Sequence, residues 1–126
     1  MKNAIISIIV FFVLLIGIFF LNKSIINLCN SIEYKTEDIE LTLLNEDYDK
    51  AYDKSLDLLS YLQEGDFIAS IYTNHQDFDS LKHEATRLCL YISKNEIGEA
   101  YASLHFIKSS AQTIKQLQSV TLGNIF

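Results

Sequence analysis

Three histidines, two cysteines and sixteen carboxylates are the residues of this 126-residue chain whose types could do chemistry. His75, Asp79 and His83 stand four residues apart, so a helix would align them on one strip. An i, i+4 pair of such side chains can chelate a divalent ion. Three ligands along one helix cannot all reach one ion with good geometry, which leaves His75, Asp79 and His83 as weak metal candidates. The simpler reading is a surface histidine plus one that hydrogen-bonds Asp79 across one turn. No cofactor is expected. The carboxylates form no pattern that marks general acid–base work. No glycine-rich phosphate loop, G-x-S-x-G elbow or H-E-x-x-H helix occurs, so the chain is not expected to be an enzyme. Cys29 and Cys89 would lie at different heights of a helical bundle. From 1.5 Å per residue the gap is about 15 Å or more, beyond disulfide reach, and two buried or half-buried thiols are expected.

Ala4 to Leu21 reads AIISIIVFFVLLIGIFFL, eighteen residues without a charge. A helix of that length spans about 27 Å, close to a hydrocarbon core. Fifteen of these residues are Ile, Val, Leu or Phe, contributing about −5 to −9 kcal/mol on the insertion scale. A cleaved signal would end in small residues. This segment ends Ile18-Phe19-Phe20-Leu21-Asn22-Lys23, so residues 1–21 are expected to be a retained transmembrane anchor. Lys2 and the α-amine precede the span, and the other flank turns acidic after Lys23. The positive-inside rule therefore expects a single-pass cell-membrane protein, N-terminus cytoplasmic and residues 22–126 extracytoplasmic.

Residues beyond the leader carry nine Lys and Arg against sixteen Asp and Glu, a net of −7. Eleven of those carboxylates lie between Glu33 and Asp66. Such a surface repels phosphate backbones and anionic headgroups, so nucleic acid is not an expected partner. The bland reading is a solvated helix face, and the sharper one is a docking surface for a basic partner.

Proline is absent and glycine occurs only four times, a composition that favours helices. Four segments carry apolar seams at spacings of 3 and 4. The first, about 22–45, places Ile25, Leu28, Ile32, Ile39 and Leu43 on one face and continues the leader without a break. The second, about 47–63, places Tyr48, Ala51, Ser55, Leu58 and Leu62, with Asn45-Glu46-Asp47 capping it and Gly65 as its end. The third, about 66–94, runs Phe67, Ile71, Asn74, Phe78, Leu81, Ala85, Leu88, Ile92. The fourth, about 97–118, runs Ala100, Leu104, Ile107, Ala111, Ile114, followed by an apolar tail. Short links imply antiparallel neighbours. The expected fold is all-α: a transmembrane helix continuing into an antiparallel up-down four-helix bundle. Asn45-Glu46 and Asn95-Glu96 hint at a duplicated hairpin. Tyr34, Tyr48, Tyr52, Tyr61, Tyr72, Tyr91 and Tyr101 read as core edges.

An amino-terminal Met-Lys-Asn before the anchor, Asp47-Tyr48-x-x-Ala51 at a helix start, His75-Gln76-Asp77-Phe78-Asp79 and the ending Leu122-Gly123-Asn124-Ile125-Phe126 occur in that order. Together they resemble the bacterial domain-of-unknown-function family 4363, and the resemblance covers nearly the whole chain. It implies a small, singly anchored protein of spore-forming Firmicutes. Phe78 stands where an aliphatic residue is usual and Tyr48 where tryptophan is common. The family has no established activity, so the resemblance implies topology and leaves the role open.

A single anchor without a domain on its other side cannot relay a signal alone. The leading expectation is an accessory protein that binds another integral membrane or envelope protein, with Asn74, His75, Asp79, Asn124, Ile125 and Phe126 as contact candidates. The alternatives are a ligand- or metal-sensing bundle and a self-assembling envelope structure, for which a homo-oligomer is required.

Overall fold

The computed structural model describes residues 1–65 and 75–125, the side chains of 75 and 120–125 excepted. Among the described residues four α-helices follow one another: α1 Lys2–Leu44, α2 Tyr48–Glu64, α3 His75–Ser93 and α4 Ile97–Ile125. They form a ring in which α1 and α3 each pack on α2 and α4, with no diagonal contact among the described residues. This is the expected all-α, up-down bundle. Phe67, Ile71, Asn74 and Phe126 lie outside the described residues.

Helix α1 is one unbroken element of 43 residues, about 64 Å long at 1.5 Å per residue. Its amino-terminal part is long and apolar enough to cross a membrane and none of that stretch is buried. Burial starts at Asn22 and then follows Ile25, Cys29, Ile32, Thr36, Ile39 and Leu43 at alternating spacings of 3 and 4. The seam read from apolar residues alone takes a step of seven residues from Ile32 to Ile39. Thr36 fills the gap, and its hydroxyl is satisfied by donating to the Glu33 carbonyl at 2.8 Å. Ser55 on α2 is buried in the same way, donating to the Tyr52 carbonyl at 2.6 Å.

The other seams match the expected ones. Ala51, Ser55, Leu58 and Leu62 are buried on α2, and Phe78, Leu81, Ala85, Leu88 and Ile92 on α3. Ala100, Leu104, Ile107, Ala111 and Ile114 are buried on α4. Stacked in antiparallel register, large and small residues alternate around two of the layers. The turn end holds Leu43, Ala51, Ile92 and Ala100, and a deeper layer holds Thr36, Leu58, Ala85 and Ile107. Such alternation lets four helices fill the axis without voids. Gly65 closes α2 at a buried position. A Cβ there would meet Leu28 Cδ1 at 3.0 Å, so glycine permits this close approach to α1.

One expectation is corrected. The fourth helix was read as ending near 118 before an apolar tail, but α4 continues to Ile125. Val120, Thr121 and Gly123 lower helix propensity by only about 0.5–1 kcal/mol each. With no proline to remove a backbone bond, the helix carries on.

Both hairpin turns have the same geometry. After α1, the Asp47 N–H donates to the Thr42 carbonyl (3.3 Å) and the Glu46 N–H to Leu43 (3.0 Å). After α3, the Glu96 N–H donates to Tyr91 (2.8 Å) and the Asn95 N–H to Ile92 (3.1 Å). These are paired Schellman bonds. They place Glu46 and Asn95 in the left-handed region at φ 60, where a Cβ is unfavourable. Replacing Glu46 by glycine should therefore stabilise the bundle by about 0.5–1 kcal/mol. Asn95→Gly should gain less, because asparagine tolerates this region. Urea unfolding of the detergent-solubilised full chain measures both, and a loss at Glu46→Gly would contradict the turn geometry.

Candidate interaction site

Helix α2 opens with a four-residue repeat, Tyr48-Asp49-Lys50-Ala51-Tyr52-Asp53-Lys54-Ser55, followed by Leu56-Asp57. A period of four is nearly one helical turn, so each residue type forms its own stripe. The small residues Ala51 and Ser55 are fully buried. The tyrosines are half-buried against the core. The lysines turn toward α1 and the aspartates toward α3.

The lysine side is compensated. Lys54 Nζ lies 3.0 Å from both Asp38 carboxylate oxygens and donates to Thr42 Oγ1 at 2.9 Å. The Lys50 backbone N–H, as distinct from its ammonium, donates to Asp47 Oδ1 at 3.3 Å, which caps α2. The opposite flank of α1 is compensated as well. Lys108 sits 2.9 Å from Glu37, and Lys115 sits 2.8 Å from Glu33 and 3.1 Å from Asn30 Oδ1. The hydrogen bond to Glu37 raises the Lys108 pKa. Between α3 and α4, Ser103 donates to Glu84 at 2.7 Å. Lys35 also lies 4.8 Å over the Tyr61 ring. Exposed pairs of this kind contribute about 0–1 kcal/mol each.

The aspartate side is different. Tyr48, Asp49, Tyr52 and Asp53 of α2 face Ile92, Ser93 and Asn95 across a groove of about 590 Å³ at the turn end of the bundle. No cation pairs with Asp49 or Asp53 among the described residues. With Asp57 they set like charges at i, i+4 intervals, each such pair costing about 0.2–0.5 kcal/mol of helix stability. Nearby Leu41, Leu44 and Leu90 are exposed at the same end.

Of the site residues expected from sequence, Asp79 and His83 do not line this groove. Asp79 pairs with Lys82 at 3.2 Å, and His83 is exposed. Asn74 and Phe126, with the side chains of His75, Asn124 and Ile125, lie outside the described residues. Among the described residues, no group of three or more His, Cys, Asp or Glu is gathered around a possible metal position. His105 lines a second groove with Thr36, Glu40, Tyr101 and Lys108 between α1 and α4. The α2 repeat was a signal available in the sequence. Its aspartates read as an ordinary solvated face because nothing local shows that Lys54 finds a carboxylate on α1.

Both cysteines are free and buried. Burial pushes the Cys29 thiol up to about 11, with Glu33 adding to the shift and Lys115 opposing it. Burial also raises Cys89, against hydrogen bonding from Ser55. Asn22 is buried too, and its Oδ1 has no hydrogen-bond partner among the described residues.

These features define a class: a four-helix bundle with one apolar amino-terminal helix long enough to cross a membrane. Within that class the chain belongs to the family described as a domain of unknown function, DUF4363, whose sequence model matches residues 19–125. No curated protein and no solved structure matches the chain.

The Cys29 shift has a pH consequence. The folded thiol keeps its proton to about 11, whereas the unfolded one releases it near 9.0. The stability this gives is complete below pH 9 and is lost as pH rises through 11. In Cys29→Ala the alkaline decline should be shallower, by on the order of 2 kcal/mol at its upper end. Urea unfolding of both proteins at pH 8 and pH 11 makes the comparison, and parallel declines would contradict it.

Proposed function

We propose that this chain is a single-pass membrane-anchored accessory protein, non-catalytic, that uses its bundle to bind another membrane or envelope protein. The continuity of α1 carries this reading. Its amino-terminal part exposes Ile, Val, Leu and Phe on all sides, while the same helix further on is one wall of the bundle core. A helix apolar all round requires an apolar surrounding, and lipid supplies one. With the helix unbroken, the bundle stands at the membrane surface with its turn end farthest away.

Lys2 before the span, against the acidic run after it, supports a cytoplasmic amino terminus and an extracytoplasmic bundle. The remaining carboxylates beyond the paired ones offer a charged surface for recognition and on-rate.

In-cell photo-crosslinking of the full-length chain should yield a reproducible adduct with one other membrane or envelope protein. Recovery of monomer alone would sink the accessory role, and recovery of self-adducts alone would replace it with self-assembly. Orientation has a separate test. A cysteine at exposed Glu99 should react with a membrane-impermeant maleimide in intact cells, while the buried Cys29 and Cys89 stay protected. Labelling only after lysis would reverse the topology.

A further inference from the structure

We propose that the groove between α2 and the end of α3 docks a cationic segment of the partner protein, a stretch of chain with arginine or lysine at alternate positions. The inference rests on the accessory-protein reading and adds the partner's chemistry.

Charge complementarity is the first argument. The grooves on the other flank of α2 and along α1 carry their own lysines, which neutralise Asp38, Glu37 and Glu33. The Tyr48–Asp53 groove carries none. Asp49, Asp53 and Asp57 repel one another along α2 in the free chain. A bound cation would remove that repulsion, and an anionic lipid or a nucleic acid would increase it.

The walls supply the second argument. Tyr48 and Tyr52 pack one side against the core and leave the other in the groove, beside Ile92. Rigid tyrosine faces beside carboxylates suit guanidinium and ammonium groups, which pair with the acid while covering the ring. The same chemistry already operates within the molecule where Lys35 lies over Tyr61.

Spacing selects the form of the cation. Successive aspartates are about 6 Å apart along the helix axis. Alternate side chains of an extended peptide are about 6.8 Å apart. One extended segment of about three residues can therefore match Asp49 and Asp53, the two aspartates of the groove, with alternate side chains. A single divalent ion cannot, since no three carboxylates converge among the described residues.

The test uses the full-length chain in nanodiscs of zwitterionic lipid and a fluorescent peptide of four Arg-Gly repeats. Binding should weaken at least ten-fold in Asp49→Asn/Asp53→Asn, with an unchanged or higher melting temperature. Glu64→Gln/Asp77→Asn removes the same charge at the other end of the bundle and should weaken binding less than two-fold. Tyr52→Leu should weaken it several-fold. Absence of binding overturns the proposal. So does equal weakening by the two double variants, which would mean attraction to net charge alone. If the peptide fails while crosslinking still recovers a protein partner, this docking site is wrong and the accessory reading stands.

Discussion

Two left-handed residues, Glu46 and Asn95, hold the register on which the rest of the bundle depends. Each reverses the chain with one Schellman pair of backbone bonds, and each does so at a cost for a residue with a Cβ. Because the turns are alike, Leu43 meets Ala51 in one hairpin and Ile92 meets Ala100 in the other. Every deeper layer inherits that offset. A shift of one residue would rotate each seam by about 100°, moving buried leucines and isoleucines toward water. The small buried residues Ala51, Ser55, Ala85, Ala100 and Ala111 are tolerated because the register sets larger neighbours beside them.

The surface follows from the same register. With α1 between α2 and α4, Asp38 falls opposite Lys54, and Glu37 and Glu33 fall opposite Lys108 and Lys115. Those pairs belong to a helix that is acidic along its outer half, and they draw Lys54, Lys108 and Lys115 toward it. The α2–α3 groove is left with carboxylates, tyrosines and no compensating cation. Uneven compensation, more than the net charge, is what distinguishes that groove from a solvated acidic face.

The two hairpins also reveal a duplicated plan. Glu46 and Asn95 are 49 residues apart and occupy the same position of the same turn. The Asn-Glu pairs visible in the sequence are offset by one residue from this structural equivalence. Left-handed geometry, not residue identity, defines the correspondence, and this is why the repeat looks loose when read as letters.

Much of the fold was legible because heptad-like spacing is a local property. The seams of α2, α3 and α4 could be read from 3- and 4-residue steps, and the unbroken α1 from the absence of proline. Thr36 was not legible as a core residue, since its burial depends on a hydroxyl satisfied by its own helix. The extension of α4 to Ile125 was missed because weak helix formers late in a helix resemble a tail. The groove was the least legible feature. Sequence by itself determined the apolar leader, the all-helical composition, the seams and the acidic balance, because each depends on residue type and near neighbours. Only the tertiary structure decided which carboxylates are neutralised. That depends on which helix stands beside which, and no local pattern carries that distance.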